Sequence, residues 1–238
     1  MTWSIIARDA AMGRLAIAVA SKFLAVGAHV PYIAAGIGAV ATQALVNPFY
    51  GPRGLQRLQE KVAAASVVAE LVAADAGRDH RQLHLMDWAG NSAAHTGAAC
   101  IACAGSRAAD DISVAGNMLM GPDVLDATAA AYAANSSLPF ARRLIAAMQA
   151  GEAAGGDKRG KQSAALLIYG DDGCSELDLR VDDHVDPLAE LARLEQVSRE
   201  RWVHFRKFLP SRRDPVGTTD RATIEAGIAA ALAAETRR

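Results

Sequence analysis

Residues 2–21 read TWSIIARDAAMGRLAIAVAS, and the fold turns on whether its two apolar runs are helical or extended. Alternation is weak and both faces are apolar, which suits strands buried on both sides within a layered fold. DAAMG (9–13) lies between them, and Asp9 with Gly13 supplies hairpin chemistry. A third strand of the same character, IGAVATQA (37–44), follows after a loop.

Further along, the period changes. GPRGLQRLQEKVAAASVVAELVAAD (51–75) spaces Leu55, Leu58, Val62, Val67 and Leu71 as a helix does, and predicts two short helices with a break near Ser66. RQLHLMDWAG (81–90) and NSAAHTG (91–97) read as a hairpin turning at Ala89-Gly90-Asn91, and ISVAGNM (112–118) as a short strand or loop. Helices are expected over 122–135 and from Pro139 to the glycines near 155, then a hairpin of QSAALLIYGDDG (162–173) and SELDLRVDD (175–183). Strands, helices, strands, helices and strands in that order, with hairpins inside the strand blocks, predict an α+β fold: a four-layer αββα sandwich of two antiparallel sheets. The domain is expected over 1–186. The stretch 187–238 is expected to form C-terminal helices, an appendage packed on the body or on another subunit. Its linker is near 208–219, and the final helix carries an apolar stripe that needs a partner.

Bulk composition narrows the function. With 238 residues and 51% hydrophobic content the chain can bury a core without staples. A net charge of -1 gives no long-range attraction to nucleic acid or an anionic membrane, so a small neutral or anionic substrate is the default partner. No window approaches the roughly 18 apolar residues of a membrane span, and no basic-then-apolar leader opens the chain, which reads as cytoplasmic. Three cysteines, an odd number, argue against a secreted disulfide framework. Cys100 and Cys103 have redox or metal spacing but no second pair, and buried thiols are the plainer reading.

Several short motifs match a known pattern but lack its structural context. Gly155, Gly160 and Lys161 fit a phosphate-loop pattern, yet Gln162 replaces the magnesium-binding hydroxyl and a strand follows where a helix is required. Gly36, Gly38 and Ala41 fit a dinucleotide fingerprint but lead to an Asn-Pro turn. Asp182, Asp183 and His184 have metal-ligand chemistry without a second cluster, and precede a helix that Asp186 can cap. The scattered histidines form no recognisable triad motif. No metal and no organic cofactor is expected.

TWSIIARD (2–9), GRLAIAVASKFLAVGAHVP (13–31), GAVATQALVNPFYGPRGL (38–55), VAGNMLMGPDV (114–124), AGGDKRGKQSAALLI (154–168) and LDLRVDDHVDPLAEL (177–191) together resemble the family called domain of unknown function 1028. That family is assigned to the N-terminal nucleophile hydrolase superfamily. The resemblance implies the αββα sandwich and an amidohydrolase in which the first residue of the mature chain attacks an amide carbonyl. Its own amine then serves as base. Thr2 matches that position once Met1 is lost, with Ser4 as the alternative hydroxyl; an ordinary strand residue is the other reading of Thr2. Where the proteasome-like branch carries an acid and a lysine, this chain has Ala20 and Tyr32, with Ser21 and Lys22 adjacent to the former.

Candidate site residues follow. Asn117 suits an oxyanion donor or a loop cap. Thr42 and Gln43 either cap a strand or enter a site, and Asn47 orients substrate or starts a turn. Asp157, Arg159 and Ser163 on or beside the glycine-rich loop could meet a substrate carboxylate. The function expected is an amidohydrolase of a small C–N bond, with a non-catalytic binding or assembly module as the alternative. A homodimer is expected from the apolar stripe of residues 219–234.

Overall fold

A computed structural model describes residues 2–235. Its strands are β1 (Thr2–Asp9), β2 (Arg14–Ser21), β3 (Pro31–Ala34), β4 (Gly38–Ala44), β5 (Arg81–Asp87), β6 (Ser92–Thr96), β7 (Gly105–Ala109), β8 (Ile112–Asn117), β9 (Ser163–Tyr169) and β10 (Ser175–Val181). Its helices are α1 (Val26–His29), α2 (Tyr50–Gln59), α3 (Ala64–Ala73), α4 (Asp123–Ala134), α5 (Phe140–Ala153), α6 (Pro187–Glu200), α7 (Trp202–Phe205) and α8 (Arg221–Glu235). All strand pairings are antiparallel, in a larger sheet ordered β10-β9-β2-β1-β8-β7 and a smaller one ordered β3-β4-β5-β6.

The layers follow from the two-residue period of the strands. Trp3, Ile5 and Ala7 on β1, with Ala16, Ala18 and Ala20 on β2, face one way and pack with Val124, Leu144 and Met148 of α4 and α5. The alternate residues Ile6, Leu15, Ile17 and Val19 face the other way, against Ala39, Ala41 and Met86 of the smaller sheet. Val40, Leu83 and Leu85 on that sheet's far side meet Leu58, Val67 and Leu71 of α2 and α3. Three hydrophobic cores thus separate four layers, helix, sheet, sheet, helix, and β1 lies in the interior of the larger sheet.

The structure differs from the sequence reading in places that have physical reasons. β3 and β7 are short and half-buried to exposed, so no apolar alternation announces them. The first helical stretch breaks at 60–63, where Lys61 adopts a left-handed conformation (φ 64), and Ser66 lies within α3. Among the C-terminal helices expected from residue 187, α6 and α7 are separated at Arg201, whose backbone (φ -151, ψ -51) is not helical. Leu188 and Leu191 of α6 join the core beneath the larger sheet. Asp220 caps α8 by accepting the Thr223 N–H at 2.9 Å, and Ile224 and Ile228 are buried within this chain. These two residues of the apolar stripe are thus covered intramolecularly. The chain after α6 also lies against β10, the outer strand: Trp202 Nε1 donates to Glu176 O at 2.9 Å and Arg206 to the Glu176 carboxylate at 2.9 Å.

Leu144 is completely buried between α5 and the larger sheet. Leu144→Ala should lower unfolding stability by about 2–5 kcal/mol, read as a reduced urea midpoint at unchanged slope.

Candidate functional site

Strand register assembles the site. Thr2 pairs with Ser21 of β2 on one side and Asn117 of β8 on the other, so three polar residues meet at one end of the larger sheet. The same alternation turns Thr2 and Ser4 into the layer between the sheets, where β4 and β5 bring Gln43, Gln82 and His84, and β8 brings Ser113. The inter-sheet layer is thus apolar at its Ile6 end and polar at its Thr2 end.

The polar residues are joined. Thr2 Oγ1 lies 3.1 Å from Ser21 Oγ. Asn117 Nδ2 donates to Gln82 Oε1 at 3.0 Å and, more weakly, to Thr2 O at 3.4 Å. Gln43 Nε2 donates to Gln82 Oε1 at 2.8 Å, and Ser4 Oγ donates to Gln43 Oε1 at 2.8 Å. His84 bonds Ser4 Oγ through Nε2 at 2.8 Å and Ser113 Oγ through Nδ1 at 2.9 Å. Ser4, Gln43, Gln82 and His84 are wholly enclosed, whereas Thr2 retains 7% exposure at the mouth. Burial pushes the His84 imidazole down to about 3, so the ring is neutral near pH 7.

Backbone conformation marks the same end. Ala44 (φ 68) directly follows Gln43 and Met118 (φ 52) directly follows Asn117, both left-handed without being glycine. Such residues persist where surrounding structure holds them, and cluster at functional sites. The glycine-rich loop docks here, with Met120 N–H donating to Gly156 O at 3.1 Å and a bridge between Leu119 and Asp157. Gly156 has φ 49, and a Cβ there would strike the Glu152 carboxylate. The Asp157 side chain is buried and accepts the Lys22 N–H at 2.9 Å, the Arg159 N–H at 2.8 Å and the Arg159 guanidinium at 3.2 Å. It holds Arg159, whose side chain is 39% exposed, at the loop's surface.

Other sequence candidates stand apart. Asn47, four residues beyond Gln43, donates to the Asp75 carboxylate at 2.9 Å and accepts the Phe49 N–H at 3.0 Å. Ser163 serves the backbone, donating to Phe23 O and accepting the Val26 N–H at 3.1 Å. Ala20 faces the helices and Tyr32 packs on the far side of the smaller sheet, so neither enters the polar layer. Lys161 pairs with Asp186, which also caps α6 through the Ala189 N–H. Among the described residues no group of three His, Cys, Asp or Glu could hold a metal ion, and Cys100 and Cys103 are free, half-buried thiols. Gln82 and Ser113 escaped the sequence reading, and His84 was passed over there as one of the scattered histidines, although Ser4 and Ser113 both bond it. The signal for Gln82 and His84 was Gln82-Leu83-His84-Leu85, whose two-residue period puts both polar side chains on one face. A groove of about 960 Å³ lies elsewhere, between β10 and the C-terminal helices, lined by Leu177, Leu179, Val197, Trp202, Phe205 and Ile224.

A family model described as "Family of unknown function (DUF1028)" matches residues 2–191. The chain belongs to that family. Among solved structures, this DUF1028 member is similar to protein SPO2555 from Silicibacter pomeroyi, with 34% identity and a TM-score of 0.85, covering 92% of this chain and 96% of that one. A distant likeness, 14% identical with a TM-score of 0.42, covers 82% of this chain and 94% of Anbu (ancestral beta-subunit) from Yersinia bercovieri. No curated protein matches. Among the described residues no helix of the DUF1028 chain is long and apolar enough to cross a membrane.

His84 gives a pH dependence with a definite sign. Its folded value near 3 lies below the ordinary 6.5, so the unfolded chain takes up the proton first and stability falls as pH drops below 6.5. Between pH 7 and 5 this group should cost about 2 kcal/mol. Urea titrations at both pH values should show that loss in the wild type and its absence in His84→Gln.

Proposed function

We propose that this chain is an amidohydrolase of small C–N bonds whose nucleophile is Thr2 Oγ1, with the α-amine of Thr2 as base once Met1 is removed. The observation that carries the reading is the placement of Thr2: first in an interior strand, its hydroxyl 3.1 Å from Ser21 Oγ, its carbonyl under Asn117 Nδ2, at the mouth of a buried polar layer. An amine with an ordinary value near 8 is matched to taking a hydroxyl proton at neutral pH.

In the reaction, Thr2 Oγ1 adds to the amide carbonyl while its proton passes to the α-amine. The oxyanion is held by a backbone N–H or by the Asn117 N–H now on the long 3.4 Å contact. Collapse breaks the C–N bond, the proton goes from the amine to the departing nitrogen, and a Thr2 ester remains. Water then adds to the ester, giving its proton to the amine, and Oγ1 leaves with that proton restored. No step uses a metal or an organic cofactor. The substrate is a small carboxylated amide, its carboxylate taken in bidentate fashion by Arg159, which Asp157 holds in place. Ser4 and Gln43 are enclosed and bonded to one another, so they form the floor of the site and leave substrate contact to Ser21, Asn117 and Arg159.

A non-catalytic binding module is the second reading, favoured by the 7% exposure of Thr2. A β-lactone separates the two, because a Thr hydroxyl with a free amine opens it and keeps the acyl group. Protein shown by intact mass to lack Met1 should gain one probe mass, and Thr2→Ala should gain none. Absence of the adduct on Met1-free protein, or its persistence in Thr2→Ala, overturns the nucleophile. If Thr2→Ala alone loses the adduct, hydrolysis of a panel of small carboxylated amides should fall at least a hundredfold in that variant.

A further inference from the structure

Ser4, His84 and Ser113 stand in hydrogen-bond contact like parts of a hydrolytic relay, so the direction of their protons matters. That direction can be traced from fixed points. Gln82 Nε2 lies 2.8 Å from Gly116 O, 3.1 Å from Gly105 O and 2.9 Å from Thr96 Oγ1. Two of these three are backbone carbonyls, which only accept. Turning the amide over would set its oxygen against both of them, so Nε2 is the nitrogen end and Oε1 must accept.

The rest follows one bond at a time. With Gln82 Oε1 accepting, Asn117 and Gln43 both present N–H to it, at 3.0 and 2.8 Å. Asn117 has an independent anchor in Thr2 O, again a carbonyl, and it agrees in sense. Gln43 Oε1 is then an acceptor, and the Ser4 hydroxyl proton points at it, 2.8 Å away. A hydroxyl has one proton, so His84 Nε2 must carry the hydrogen shared with Ser4 Oγ. The enclosed ring is neutral, which leaves Nδ1 bare to accept the Ser113 hydroxyl proton at 2.9 Å.

We propose that Gln82 is the positioning residue of the Thr2 site, and that it fixes the sense of every hydrogen bond from Thr2 O to Ser113. Two consequences follow. His84 donates to Ser4, so it cannot act as the base for Ser4; Ser4 is a strut, and the resemblance to a Ser–His pair is one of distance only. Asn117, with its second N–H committed to Gln82, keeps its first aimed at the Thr2 carbonyl in the resting site, which sets the attitude of the residue bearing the hydroxyl before that N–H turns to the oxyanion. This second consequence rests on the amidohydrolase reading. The first does not.

Nitrogen-15 spectra of histidine-labelled wild type, taken between pH 7 and 5, test the wiring without any substrate. The His84 signals, identified by their loss in His84→Gln, should show a protonated Nε2 and a bare Nδ1 that do not change over that range. A protonated Nδ1, or a ring that titrates, overturns the proposal whatever Thr2 does. In Gln82→Met the single tautomer should give way to a mixture, and β-lactone acylation of Thr2 should slow at least tenfold with its pH profile unmoved. A single Nε2–H tautomer and an unchanged acylation rate in folded Gln82→Met would remove Gln82 from its role. Should Gln82→Met fail to fold, the wild-type tautomer still decides the wiring. If wild type shows the expected tautomer but no adduct, the amidohydrolase reading falls and the assignment of Ser4 as a strut stands.

Discussion

A polar group removed from water costs several kcal/mol unless it finds a partner. Between the two sheets of this protein that constraint governs half a layer. Ser4, Gln43, Gln82, His84, Ser113 and Asn117 are all buried, and none has a buried side-chain nitrogen or oxygen left without a partner. Completeness is possible because the strands bring amides opposite amides and hydroxyls opposite a neutral ring. A shift of one residue in the β1–β2 or β1–β8 register would turn Thr2 and Ser4 toward the helices and Trp3 into the polar layer. The site and the sheet register are one specification.

The division of the inter-sheet layer also explains why the fold tolerates so much polarity. Ile6, Leu15, Ile17 and Met86 make its other end hydrocarbon, and full cores lie on both outer sides of the sheets. Those three cores hold the two sheets in place, so the polar half need only be neutral in its effect on stability. A network that is fully satisfied adds rigidity and a unique geometry. Rigidity at the mouth has a local cost in the left-handed backbone of Ala44 and Met118, which the flanking strands hold.

Much of the architecture was legible in the residues. β1, β2, β4 and β9 carry apolar side chains on both faces, and that property leaves little choice but an interior sheet between two further layers. What stayed illegible depends on neighbours. β7 is GSRAA, mostly exposed at a sheet edge, and nothing in its pattern marks a strand. Lys61 stops α2 by its backbone conformation, which no side-chain property of lysine announces. At the candidate site, Thr2, Ser21, Gln43 and Asn117 were visible as polar residues at the ends of apolar runs. Gln82, His84 and Ser113 lie within strands, and their partners are decided by which strands face each other. Sequence order carries no direct record of that.

Strand β10 ends the larger sheet, and an outer strand is an invitation to further pairing. Here the invitation is declined by the chain itself: the indole of Trp202 takes a carbonyl on that rim, and Arg206 takes the neighbouring carboxylate. Both residues lie after the segment that the family shares. The tail thus acts as a bumper, and this chain cut back to α6 would leave the same rim open to pairing with a sister molecule.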